Sequence, residues 1–137
     1  MIGNLLVWMV LLSSGSTTQL SDSGMPRVRR ADFLARECRE ALTAAAATRT
    51  QSSASVDYQA VGHCIGYIRG LMDGLMILST LEPGVLCMEK DVSGEQGIRI
   101  FLRYMDDHPE RGNGDMADIV GVALMKAFPC PVSGDGR

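Results

Sequence analysis

The chain has 137 residues and a formal net charge of −3, so its length suits one domain and its charge gives no electrostatic basis for binding nucleic acid. Hydrophobic residues make up 46% of the sequence but aromatic residues only 5%, so the apolar content is mostly aliphatic. Such a composition favours packed helices over strands, which prefer β-branched and aromatic residues.

The N-terminus has the pattern of a secretory signal peptide. The apolar residues 5–12 (LLVWMVLL) are followed by small polar residues, among them the candidate cleavage site Ser14-Gly15-Ser16. The apolar run is far shorter than the ~20 residues of a transmembrane helix, so we expect no integral membrane segment in the mature chain. Because the first residues lack a basic charge, a disordered tail is the alternative interpretation. We assign residues 1–16 to the signal peptide and residues 17–30 to a flexible tail.

Two helices are predicted in the first half of the mature chain. Apolar positions at helical spacing extend over residues 32–47, with Asp32 as the N-cap. The polar, Ser/Thr-rich residues 48–55 predict a loop. The second helix covers about residues 56–81 and ends at Glu82-Pro83-Gly84, because proline and glycine disfavour its continuation.

Two further helices are predicted in the second half. The third begins at a capping box formed by Ser93 and Gln96 and ends near His108-Pro109. The fourth begins after Asp115 and ends before Pro129. No alternating strand pattern is present. The sequence therefore predicts an all-α domain over residues 31–131, a compact bundle of about four helices, followed by a flexible tail at residues 132–137.

The second helix carries a glycine at every fourth position of one face, at Gly62, Gly66, Gly70 and Gly74. Each interior glycine costs about 0.8–1 kcal/mol relative to alanine, so the four together cost roughly 3–4 kcal/mol of helix propensity. The opposite face is apolar and predicts a core surface. A cost of this size indicates a packing reason. We expect another helix, of this chain or of a second subunit, to approach the backbone on the glycine face.

Four cysteines permit three disulfide pairings, which the sequence alone does not resolve. Cys38 and Cys64 lie on the apolar faces of the first two helices, whereas Cys87 and Cys130 lie in connectors just outside helices. If the chain is exported to an oxidising compartment, all four cysteines are expected in disulfides. The favoured pairing is Cys38–Cys64 and Cys87–Cys130, which would join helix one to helix two and close the hairpin of helices three and four.

The residue types that carry chemistry form no recognisable catalytic or metal motif. His63 has no carboxylate one turn away on its helix, and His108 at a helix end is explained by the macrodipole. The acids Asp106 and Asp107 are typical of a solvated face. A metal site would need a CxxC pair or a comparable ligand set. We therefore expect no enzyme activity, no metal and no cofactor, which leaves a binding protein.

The order of motifs along the chain resembles a known family. The motifs are FLARECREA, CIGYIRGLMDG, VLC, SGEQGIRIFLRYMDDHPE and VALMKAFPC, spread over residues 33–130. The most specific parts are Cys64-x-Gly66-Tyr67-x-x-Gly70, the helix end Tyr104-x-x-x-His108-Pro109, and the terminal 127–130 (AFPC). On these motifs the chain resembles the type VI secretion amidase immunity family, the Rap/Tai immunity proteins.

The resemblance implies a small helical periplasmic protein that binds a peptidoglycan-cleaving amidase effector and occludes its active site. It also implies a homodimer. Only the four cysteines and the Gly/Tyr motif, Gly66, Tyr67 and Gly70, are carried over from the family as structural positions. Gly62, Gly74, His108 and Pro109 are assigned to the structural motif beside them. The residues that contact the partner are left unassigned. The alternatives are a periplasmic structural or chaperone-like helical protein without a toxin partner, and a small enzyme that uses His63 or His108.

Overall fold

A computed structural model of the chain describes residues 29–50, 55–89 and 91–131. Within these ranges the chain forms four α-helices, α1 (Ala31–Thr50), α2 (Tyr58–Leu81), α3 (Gly94–Asp107) and α4 (Met116–Ala127), and a short 3₁₀ helix, Pro109–Asn113. No strand is present in the same ranges, and the prediction of an all-α bundle is confirmed. The predicted signal peptide, most of the N-terminal tail and the C-terminal tail lie outside the described residues.

Helices α2, α3 and α4 begin at caps. The Asp57 side chain accepts hydrogen bonds from the backbone N–H groups of Gln59 and Ala60 at the start of α2. The capping box predicted for α3 is confirmed, because Ser93 accepts from the Gln96 backbone and the Gln96 side chain accepts from the Ser93 N–H. The Asp115 side chain likewise caps α4. These bonds satisfy N–H groups that the first helical turn leaves without partners.

Helix α1 is longer than the sequence predicted, and Asp32 is not its cap. The helix begins at Ala31, whose N–H donates to the carbonyl of Gly114 at 2.9 Å, while Asp32 in the first turn pairs with Arg30. At the other end α1 continues to Thr50, three residues beyond the predicted end. The hydroxyls of Thr48 and Thr50 donate to carbonyls one turn back, so the polar residues extend the helix instead of opening a loop.

All four helices contribute to one apolar core. Phe101 of α3 is fully buried and the largest side chain at its centre. The other large, fully buried side chains come from the remaining three helices and are Leu34, Cys38, Cys64, Ile68, Val120 and Leu124. The core is therefore mostly aliphatic, as the low aromatic content suggested, with Phe101 and the 8% exposed Tyr104 as its buried aromatic side chains.

Two disulfides join the helices, and the favoured pairing is confirmed. Cys38 bonds to Cys64, with a Cα–Cα distance of 5.1 Å, and links α1 to α2 inside the core. Cys87 bonds to Cys130, with a Cα–Cα distance of 4.8 Å, and links the connector before α3 to the segment after α4. Next to this second disulfide, the Cys87 N–H donates to the Phe128 carbonyl at 3.1 Å. The disulfide thus joins the start of α3 to the end of α4, at the end of the α3–α4 hairpin opposite its connecting turn.

Helix α2 ends in the turn that the sequence predicted. The Glu82 N–H donates to the Leu78 carbonyl at 2.8 Å, and the chain then reverses through Pro83 and Gly84. Gly84 has a φ of 98°, a left-handed backbone conformation that glycine adopts without the steric penalty of a side chain.

By its length and apolar composition, α2 could cross a membrane. The same helix also supplies Cys64, Ile68 and Met72 to the core and carries the disulfide to α1. However, only 17% of the most apolar 18-residue stretch of α2 is buried, so much of the apolar surface of α2 faces outward. Packing in the core and the disulfide to α1 do not account for this exposed apolar surface.

Candidate functional site

The outward face of α2 carries the glycine ladder. Gly62, Gly66, Gly70 and Gly74 are exposed, and a Cβ built on any of them meets no described atom within 4 Å. The expected approach of another helix of the same chain is therefore not found in the part of the chain that the structure describes. Large apolar side chains lie exposed along the same helix: Tyr58, Ile65, Ile77, Leu78 and Leu81.

The glycine that permits close packing inside the bundle is on α3 instead. A Cβ on Gly97 would lie 2.5 Å from Sδ of Met72 and 3.0 Å from Cγ2 of Ile68, both buried side chains of α2. Absence of a side chain at Gly97 thus allows α2 and α3 to approach. Sequence reasoning missed this residue because a single glycine in an amphipathic helix gives no periodic signal.

We expect Gly66→Ala and Gly97→Ala to have opposite effects on stability. Alanine at Gly66 should raise the free energy of unfolding by about 0.8–1 kcal/mol, because the site is open and the helix gains propensity. Alanine at Gly97 should lower it, because overpacking against the stiff, fully buried Ile68 costs about 1–3 kcal/mol. Urea unfolding of the two variants measures both changes. A loss at Gly66 that depends on protein concentration would instead indicate a second copy packed on the glycine face.

A second surface feature is a groove of about 610 Å³ between α1 and the start of α2, the α1–α2 groove. His63 Nδ1 lies 2.5 Å from Oε2 of Glu37, a residue of α1 whose side chain is only 12% exposed. The Phe33 ring packs edge-on against the imidazole at 6.5 Å, and the Arg36 guanidinium lies 4.8 Å above the Phe33 ring. The groove therefore holds a histidine oriented by a carboxylate.

The sequence-based search missed the partner of His63 because it considered only carboxylates on the same helix. Glu37 and His63 each directly precede a cysteine of the Cys38–Cys64 disulfide. This shared position is the sequence pattern from which their contact could have been predicted. A histidine–carboxylate pair is the base and orienting group of a nucleophilic site, which also needs a nucleophile. No serine, threonine or cysteine is among the described residues that line the groove. The pair thus joins α1 to α2 through a side-chain contact.

The Tyr67 position of the family motif packs against the core. The tyrosine is half-buried, and its ring lies 6.0 Å from that of His63. Burial raises the pKa of the Tyr67 phenol, and the negative charge of Asp115 adds to the effect.

The His108-Pro109 position reverses the chain after α3. The His108 N–H donates to the Tyr104 carbonyl at 2.9 Å and ends the helix, and Pro109 begins the 3₁₀ helix. The His108 ring packs against the Tyr104 ring at 4.4 Å, and its Nδ1 lies 3.4 Å from Oε1 of Glu110. These contacts give His108 a structural role, far along the chain from the His63 groove.

The described residues hold no cluster of three or more histidine, cysteine, aspartate or glutamate side chains that could bind a metal ion. All four cysteines are in disulfides, so none is available as a thiolate nucleophile or ligand. The geometry thus provides a disulfide-bonded helical scaffold with three exposed features. These are the glycine face, the α1–α2 groove and a second groove between α3 and α4.

A scan against family models matches residues 30–130 to the Rap1a immunity proteins. The chain belongs to this family. Neither the curated proteins nor the solved structures gave a match. The matched range contains all four helices, both disulfides and the Gly/Tyr and His-Pro positions.

Membership of the Rap1a family agrees with the resemblance that the motifs indicated. An immunity family implies a protein effector as partner and is generally non-enzymatic. The disulfides and the family together indicate an exported Rap1a protein, because disulfides persist in oxidising compartments.

Proposed function

We propose that this Rap1a-family chain is a periplasmic immunity protein that binds a type VI secreted peptidoglycan amidase and occludes its active site. The family match over residues 30–130 carries the proposal. A rigid scaffold supports it, since both disulfides and one apolar core hold the binding surfaces in place. Preorganised surfaces bind with a smaller entropic cost than mobile ones.

The proposal includes delivery and assembly. Residues 1–16 act as the signal peptide, residues 17–30 form an N-terminal tail, and residues 31–131 form the mature immunity domain, followed by a tail at residues 132–137. The mature chain works as a homodimer, and the exposed apolar side chains of α2 support this assembly. No cofactor, metal or nucleic acid takes part, and the chain catalyses no reaction of its own.

The test uses a papain-like amidase as the probe, and a gene for such an amidase next to the gene of this protein would identify the candidate. We expect the purified, oxidised protein to bind that amidase at micromolar concentration or below and to abolish its hydrolysis of peptidoglycan. Isothermal titration and release of peptidoglycan fragments measure the two effects. His63→Ala and His108→Ala should retain full inhibition, because neither imidazole is proposed to act on substrate.

Two results would contradict the proposal. Failure to bind the amidase at micromolar concentration would favour a structural or chaperone-like role without a toxin partner. Loss of inhibition in His63→Ala, with binding and stability retained, would favour chemistry in the α1–α2 groove.

A further inference from the structure

A second groove, of about 600 Å³, lies between α3 and the C-terminal half of α4 and is called the α3–α4 groove. Part of its lining is apolar. Ala123 is 3% exposed, and Ile100 and Phe128 are half-buried against the core. An apolar strip therefore reaches the surface between two helices that the Cys87–Cys130 disulfide holds together.

Cationic side chains surround this apolar strip. Arg99, Arg103 and Lys126 line the α3–α4 groove, and Asp107 is the single carboxylate among the described residues that line it. The groove is thus positively charged in a chain whose formal net charge is −3. The charge of the groove is opposite in sign to that of the whole protein. Packing between α3 and α4 does not by itself require cationic side chains at this position.

Two of these cations have no carboxylate partner among the described residues. Arg99 donates to Oε1 of Glu95 at 2.8 Å, and this hydrogen bond lowers the pKa of Glu95. Neither Arg103 nor Lys126 forms an ion pair with a carboxylate in the described part of the chain, and Lys126 Nζ lies 5.1 Å from the centre of the Tyr104 ring. The positive charge of Arg103 and Lys126 is therefore available to an anionic partner.

The arrangement is that of a protein interface. No charged side chain is buried in the described residues, so the cations stand at the exposed rim while the centre of the groove is apolar. An apolar centre with a polar rim is typical of protein–protein contacts, and arginine is enriched there. A small-molecule pocket would instead direct a few polar groups into an enclosed cavity.

We propose that the α3–α4 groove is the surface on which the amidase effector docks, through an effector loop that carries carboxylates beside an apolar side chain. This inference rests on the proposed function. The apolar side chain of the loop lies against Ile100 and Phe128, and the carboxylates pair with Arg103 and Lys126. Charge complementarity of this kind raises the rate of association and selects against basic partners.

The test compares two double charge reversals in the full oxidised protein, with the candidate amidase of the proposed function as probe. Arg103→Glu/Lys126→Glu should weaken binding by about tenfold or more, mainly through slower association, because the loop and the groove would then repel. The control Arg39→Glu/Arg111→Glu makes the same change in net charge on exposed residues outside the groove and should bind like the wild type. Added salt should weaken wild-type binding more than binding of the groove variant.

Each of the other outcomes contradicts either the docking surface or the proposed function. If the wild type binds the amidase and the groove variant binds equally well, the docking surface is wrong and the proposed function stands. If the wild type does not bind, the proposed function fails, and the inference fails with it. Vesicles that contain phosphatidylglycerol serve as a second probe. Sedimentation of the wild type with them, lost in the groove variant while amidase binding is kept, would identify the groove as a membrane-facing patch and overturn the inference.

Discussion

Replacing Cys38 and Cys64 together by alanine is expected to lower the free energy of unfolding by at least about 3.5 kcal/mol. The disulfide spans 26 residues of sequence, and closing a loop of that length restricts the unfolded chain by about this amount. Both cysteines are fully buried, so the lost sulfur atoms also leave space in the core and add to the loss. Because a domain of this size has a net stability of about 5–15 kcal/mol, the variant should lose between roughly a quarter and most of it.

The matched control removes Cys87 and Cys130 instead. That disulfide spans 43 residues, for which the same model predicts about 4 kcal/mol, but neither of its cysteines is in the buried core. Urea unfolding of both variants, with mass spectrometry of the exported wild type to confirm the absence of free thiols, measures the two contributions. A change below ~1 kcal/mol for the Cys38–Cys64 variant would mean that the disulfide adds little to a bundle already fixed by packing.

Phe101→Ala is expected to destabilise the bundle by about 3–5 kcal/mol. The ring is 0% exposed and is the largest fully buried side chain of a core cluster to which all four helices contribute. A cavity at that position cannot collapse without moving several helices, two of which are tied by a disulfide. Thermal and urea unfolding measure the loss.

Ile77→Ala is the control for Phe101→Ala. Ile77 is 65% exposed on α2, so its truncation should change the free energy of unfolding by no more than about 0.5 kcal/mol. Equal losses in the two variants would contradict the position of Phe101 at the centre of the core.

The starts of α3 and α4 could be predicted because their signals are local. The capping box of Ser93 and Gln96 and the cap Asp115 are short patterns whose geometry depends on a few neighbouring residues. The favoured pairing of Cys38 with Cys64 drew on the apolar faces on which both cysteines lie, although the sequence alone left three pairings open. The end of α1 was missed because Thr48 and Thr50 satisfy their hydroxyls within the helix, which composition alone does not indicate.

The contacts between helices could not be predicted in the same way. The pair of Glu37 and His63 depends on how α1 is rotated against α2, and no sequence period records that rotation. The glycine ladder gave a strong periodic signal, yet the close contact inside the bundle is made by the single Gly97. Likewise, the α3–α4 groove brings Arg103 and Lys126 together from two helices, so its charge is visible only after folding.

The two disulfides join cysteines that are consecutive along the chain, the first with the second and the third with the fourth. Their loops therefore follow one another without overlapping. In a chain that emerges N-terminus first into an oxidising compartment, Cys64 meets Cys38 before Cys87 has appeared, and Cys87 then waits only for Cys130. Correct oxidation can follow the order of export, with no need to exchange one pairing for another.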